Sequence, residues 1–197
     1  FNRQIKQIFN NTGNQEWRRF EVMQELFEKY GQRYAFDPLM LAAQGYQESQ
    51  LKQEKRGPSG AIGVMQVLPS TASGLKVGDI KQLEPNIHAG AKYLDELMSQ
   101  YFADADFQGD NRTLFSFASY NAGPGTIKRM RKLAEDRGLD PNRWFNHVEL
   151  VVAEKVGWET TSYVRNIYKY YAAYKLQLEV EEQQKQALAR LALKPNS

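Results

Sequence analysis

Residues 37–50 read DPLMLAAQGYQESQ, and this stretch sets the reading of the whole chain. Asp37 followed by Pro38 is an N-cap with proline at the first helical position. The helix that follows is apolar almost all round, through Leu39, Met40, Leu41, Ala42 and Ala43, and such a helix belongs in a core. Its exception is the polar set Gln44, Gln47 and Glu48, spaced i, i+3, i+4 and therefore on one face. A buried helix with one polar edge turns that edge toward something, commonly a cleft. Glu48 there is a candidate general acid, because burial disfavours the carboxylate and raises its pKa. The same residue is also open to a structural role, as a cap or a partner for a nearby Lys or Arg.

Working outward, residues 17–34 place Phe20, Met23, Leu26, Phe27 and Tyr30 at three- and four-residue intervals, an amphipathic helix. Residues 56–63 form a Gly/Pro loop, and a short turn is expected at Pro69. Helical patterning resumes near 86–102, with Ile87, Ala91, Leu94, Met98 and Tyr101 on one side. A short buried helix is expected over 113–119, ending at NAGPG. A basic helix covers 126–137 and stops at Gly138, and Asp140-Pro141 reads as the start of another. The final stretch, about 159–192, is aromatic first (Tyr163, Ile167, Tyr170, Tyr171, Tyr174) and then rich in Glu, Gln and Lys. Strand signals are few, so the fold class is mainly α. The expected organisation is an N-terminal segment over 1–16, one domain over 17–178 and a solvated helical extension over 179–197.

Composition narrows the function. With 26 basic and 23 acidic side chains among 197 residues, the surface is mixed, which argues against nucleic-acid binding through a concentrated basic face. The chain has no cysteine, so disulfides, thiolate metal sites and a cysteine nucleophile drop out. His88 and His147 lie far apart without metal-ligand spacing. Asp104, Asp106 and Asp110 look like the start of a calcium loop, but Phe115 stands where the bidentate glutamate would be required, so an acidic surface loop is the better reading. The basic run 128–132, KRMRK, reads as a solvated helix face. No apolar run reaches the ~18 residues of a membrane span. The start, FNRQIKQIFNNTG, has neither an initiator Met nor a signal-peptide core, so the chain is expected to be a piece of a longer or processed protein.

Four strings occur in order: QESQL from Gln47, GPSGAIGVMQVLPSTA from Gly57, FASYNAGPG from Phe117 and ETTSYV from Glu159. Together they resemble the ordered motifs of the lytic transglycosylase SLT domain, over about 37–175. AAQGYQES and EPNIHAGAKYL further resemble the membrane-bound lytic murein transglycosylase F type. The resemblance implies a lysozyme-like helical fold, like that of goose-type lysozymes, and cleavage of peptidoglycan glycan strands without hydrolysis. Glu48 would serve as both acid and base, with no metal or cofactor. It implies Gln66 lining the cleft and Met65 as an apolar wall beside the acid, although Met65 also suits plain core packing. Tyr120, Asn121 and Ala122 would line the site, and Tyr163 would bring its hydroxyl to Glu48. Glu159 is open between substrate binding and a structural pair. Ser49, about 100° round the helix from Glu48, is expected to anchor the adjacent loop, although its motif also places it beside substrate. Where family members often carry a serine nine positions after the glutamate, this chain has Gly57, and Ser59 is the candidate replacement. Gly123-Pro124-Gly125 is either a close-approach turn or a helix stop. The resemblance also implies a cell-envelope location in the periplasm, membrane association, an upstream solute-binding-like domain in the full-length protein and a monomer. Two other readings stay open: a hydrolysing muramidase, which would need a carboxylate to hold water, and a glycan-binding module that does not cut. Glu54 is the nearest further carboxylate in sequence, in an expected loop.

Overall fold

A computed structural model describes residues 13–192. The outer parts of the two expected end segments, 1–12 and 193–197, lie outside the described residues. Helix α1 (Gly13–Tyr34) buries Phe20, Met23, Phe27 and Tyr30 and stops at Ala35, whose φ of 56° breaks the helical path. Helix α2 (Pro38–Ser49) starts as the sequence dictates, with the Asp37 carboxylate accepting from the Leu39 amide at 2.8 Å. It ends where Gln50 and Leu51 both take left-handed backbone.

Short helix α3 (Pro69–Leu75) replaces the simple turn expected at Pro69. Proline at the first helical position costs no backbone donor, and the buried Leu75 anchors the far end. Helices α4 (Leu83–Tyr101), α5 (Asn111–Ala122) and α6 (Pro124–Asp136) follow. Among the described residues the only β pairing is two isolated bridges, Arg56 with Ile62 and Ile62 with Val67.

Asp140-Pro141 does not open a helix, contrary to the expectation. The Asp140 carboxylate accepts from the Asn142 amide at 2.9 Å, a local turn. Asn146, at φ 63°, keeps the backbone irregular until α7 (Glu149–Lys155) begins. A capping aspartate suits an Asx turn as well as a helix start. What decides is Trp144, fully buried with its ring edge-on to Phe115 at 5.5 Å and its amide taken by Asn111. Anchoring that indole outweighs one turn of helix. In the basic run, Lys128, Arg129 and Lys132 are exposed, whereas Arg131 lies over Phe102 and Phe107 and bonds to Pro141 and Asn142.

Helix α8 (Trp158–Ala192) is the longest. Its first half packs on α2, α5 and α7, so α2 lies between α1 and α8 at the centre of the molecule. Beyond Glu179 the helix is almost wholly exposed, with Leu188 67% and Leu191 65% accessible. Ending the chain after Glu179 is therefore expected to leave the melting temperature within about 3 °C of the parent. A differential scanning calorimetry trace showing a larger drop would mean that the extension stabilises the core.

Candidate active site

Glu48 sits in the last turn of α2, partly buried. Its Oε1 accepts a 2.5 Å hydrogen bond from the Tyr163 hydroxyl of α8. Tyr163 in turn accepts from the Gln44 side-chain amide at 3.1 Å, one helical turn before Glu48. The close packing of α2 on α8 thus brings together residues more than a hundred positions apart in sequence. Burial pushes the Glu48 carboxyl up to about 7, opposed by the Tyr163 hydrogen bond and by the charge of Lys55. The phenols of Tyr163 and Tyr120 are both raised by burial and by the facing Glu48 charge, so both stay protonated. Among the described residues no acidic side chain acts on the ionisation of Glu48, and Glu54 is exposed.

The loop after α2 is irregular and yet buried at Ile62, Val64, Met65 and Val67, so its backbone groups need partners other than water. Side chains supply them. Asn86 of α4, fully buried, accepts from the Met65 amide at 2.8 Å and donates to the carbonyls of Ile62 and Ile80 at 2.8 and 2.9 Å. Gln53 accepts from Val64 and donates to Ile80 and Lys81. Tyr120 donates to the Met65 carbonyl at 2.6 Å. Gly63, at φ 79°, leaves no room for a side chain, since an added Cβ would lie 2.5 Å from Asn86 Nδ2.

Of the residues singled out from sequence, Glu48 and Tyr163 meet directly. Tyr120 reaches the site through its bond to the loop. Ser49 is buried and divides its one proton between the carbonyls of Gly45 and Val64 while accepting from the Lys52 amide. It fastens the loop to α2 and has no donor left for a sugar. Met65 is fully buried against Gly45 and Gly90, which is core packing. Gln66 is partly exposed and donates to Gly63 at 2.9 Å and Lys55 at 3.3 Å. Its Oε1 occupies the space a side chain at Gly57 would need, 2.7 Å from an added Cβ. A serine at position 57 would therefore need the end of the Gln66 side chain to move aside, while Ser59 stands exposed at the loop tip. Asn121 is exposed and accepts from Thr160 at 2.8 Å, tying the end of α5 to the first turn of α8. Ala122 is partly exposed and Glu159 exposed. Gly123 carries a φ of 84° and ends α5, and no protein atom lies within 4 Å of an added Cβ, so it is the backbone angle that calls for glycine on the protein side.

Sequence reasoning missed Asn86, Gln53 and Thr160, and gave Gln44 no role. A signal existed for Asn86. With Gly90 it forms an i, i+4 pair on the otherwise apolar face of its helix, and both face the loop: Asn86 bonds it, and a Cβ at Gly90 would meet Met65 at 2.7 Å.

Fold and site together define a mainly α, lysozyme-like protein in which Glu48, the one carboxyl raised above its ordinary value among the described residues, is held by a phenol. A sequence profile described as the transglycosylase SLT domain matches residues 25–142, and the chain belongs to that family. Similar proteins include the membrane-bound lytic murein transglycosylase F 1 of Alkalilimnicola ehrlichii, 34% identical over 158 residues, covering 74% of this chain and 32% of that protein. The membrane-bound lytic murein transglycosylase F of Marinobacter nauticus is 35% identical over 166 residues, with 78% and 33% covered. The chain thus spans about a third of the length of these relatives. Among solved structures, an inactive mutant of the lytic transglycosylase Slt of Pseudomonas aeruginosa superposes with a TM-score of 0.63 at 24% identity, covering 90% of this chain and 27% of that one. The 70 kDa soluble lytic transglycosylase of Escherichia coli gives a TM-score of 0.57 at 26% identity, with 78% and 24% covered.

Proposed function

We propose that this chain is the catalytic domain of a peptidoglycan lytic transglycosylase. It cleaves the β-1,4 bond between N-acetylmuramic acid and N-acetylglucosamine without water and leaves 1,6-anhydromuramic acid ends. The observation that carries this reading is the partly buried Glu48 carboxyl, raised to about 7 and hydrogen-bonded by Tyr163, on which no second carboxylate acts among the described residues. A retaining hydrolase needs two carboxyl groups about 5–5.5 Å apart, one acid and one nucleophile. Here the substrate supplies the nucleophile.

Protonated Glu48 gives its proton to the glycosidic oxygen as the bond to C1 of the muramic residue breaks, and the 2-acetamido group assists at C1. The C6 hydroxyl then attacks C1 and yields its proton to the Glu48 carboxylate. The ring closes, the acid is restored and no cofactor is called for. One group can serve both steps only if its pKa lies near the working pH, as that of Glu48 does. Gln66, Ser59, Asn121, Ala122 and Glu159 are the proposed sugar contacts, with Tyr120 holding the loop in place. The domain over 17–178 acts in the periplasm as a monomer, with membrane association and a solute-binding-like domain supplied by the rest of a longer chain. In support, the relatives named membrane-bound are more than twice its length, and among the described residues no helix is long and apolar enough to cross a membrane.

Digestion of peptidoglycan in water enriched in oxygen-18 tests the chemistry. The internal route leaves the muramic end unlabelled, whereas a labelled reducing end would make the protein a hydrolase.

The acid step requires protonated Glu48, so kcat/KM is expected to fall as pH rises through about 7. Tyr163 lowers that pKa. Tyr163→Phe is therefore expected to move the descending limb up by about one pH unit while reducing kcat. A limb that stays in place or moves down would contradict the assignment.

A further inference from the structure

Gln44 is fully buried in α2, beside Leu41, Ala42 and Ala43, which are equally buried. Its Nε2 donates to the Tyr163 hydroxyl, while its Oε1 meets no donor among the described residues. A buried acceptor without a partner is costly and rare, and an apolar side chain of the same size would avoid that cost. We infer that Gln44 is a positioning residue that, acting through Tyr163, fixes the transferable proton of Glu48 on Oε2. This rests on the acid and base role proposed for Glu48.

The argument is a count of donors and acceptors. A phenol has one proton and can also accept. The Gln44 NH2 group fills the accepting side of the Tyr163 oxygen and cannot itself take a proton. The Tyr163 proton is thereby sent to Glu48 Oε1, 2.5 Å away. An oxygen that accepts this bond is the carbonyl oxygen of the neutral acid, which leaves the acidic proton on Oε2. That oxygen makes no hydrogen bond among the described residues and is not shut away from solvent. It is the oxygen left to meet the glycosidic bond. With the amide turned round, Gln44 Oε1 would draw the Tyr163 proton to itself. The proton of Glu48 would then be drawn onto Oε1, toward the phenol and away from the substrate.

The test combines Gln44→Met, close in volume, with Tyr163→Phe, singly and together, measured as pH–rate profiles for glycan cleavage with folding checked by circular dichroism. Gln44→Met is expected to lower kcat about tenfold with KM within about twofold, and to raise the descending limb by about half a pH unit. In the Tyr163→Phe background the same change should cost no more than about twofold, because the relay is already broken. Wild-type kcat and pH limb in Gln44→Met, or an equal loss in both backgrounds, would overturn the inference. Should Gln44→Met fail to fold, Gln44→Glu offers Tyr163 an acceptor in nearly the same shape. It is expected to lose at least as much kcat, and wild-type turnover there would equally overturn the inference. Full activity in Glu48→Gln would instead remove the acid/base reading itself, so the two failures are told apart.

Discussion

Glu48→Gln is expected to lose at least ~10²-fold in turnover, the scale of a general acid, and yet to be the more stable protein in alkali. The folded-state pKa of Glu48 is about 7, raised from 4.5 by burial. A carboxyl whose pKa rises on folding stabilises the fold most fully while it is protonated in both states. That contribution is lost as pH climbs from the unfolded value through the folded one. Between about pH 4.5 and pH 7 the native state thus loses roughly 3 kcal/mol relative to a neutral side chain of the same shape, and above that window the loss is constant. The glutamine variant should melt about 5–10 °C higher than the parent at about pH 8.5, and within about 2 °C of it at about pH 4.5. Thermal melts at the two pH values check this. A variant that is less stable in alkali would mean that Glu48 is not held against its own ionisation. The expected pattern, lost activity with gained stability, is what a strained catalytic group produces.

Asn86→Ala is expected to cost about 3–5 kcal/mol in urea unfolding. The Asn86 amide makes three hydrogen bonds to the buried loop and to Ile80. Removing it leaves the Met65 amide unpaired where water does not reach, takes one of two donors from each of the Ile62 and Ile80 carbonyls, which keep Val67 and Gln53, and opens a cavity besides. Asn86→Asp should fare little better, because it keeps the acceptor for Met65 but loses both donations and buries a charge. Whatever folds should also cleave poorly, since the same loop carries Gln66 and receives Tyr120. An Asn86→Ala midpoint equivalent to less than about 1 kcal/mol of loss would show that the loop is held mainly by its apolar contacts.

Much of the helical framework was legible because it is local. The Asp37-Pro38 cap, the stripe of Phe20, Met23, Phe27 and Tyr30, and the left-handed stop at Gly138 each follow from a few adjacent residues. Asp140-Pro141 misled for the same reason. The local signal was sound as a turn, and the competing term was the distant burial of Trp144 against Phe115. The meeting of Glu48 with Tyr163 came from the ordered motifs, because nothing in helical periodicity says that α2 and α8 touch. The role of Gln44 was hidden for a related reason. It shares a face with Glu48, but its partner is a phenol 119 residues away. Asn86 was overlooked because an asparagine on an apolar face looks like an interruption until the loop it holds is seen. Ser49 and Met65 show the converse, since both belong to the motifs and both are spent on structure.

The most direct test is mass spectrometry of the soluble products released from purified peptidoglycan by the parent and by Glu48→Gln in parallel. The parent should release fragments ending in 1,6-anhydromuramic acid, lighter by one water than hydrolysis products, and the variant should release almost none. Reducing muramic ends from the parent, or anhydro ends still produced by a folded Glu48→Gln, would contradict the single-carboxyl account.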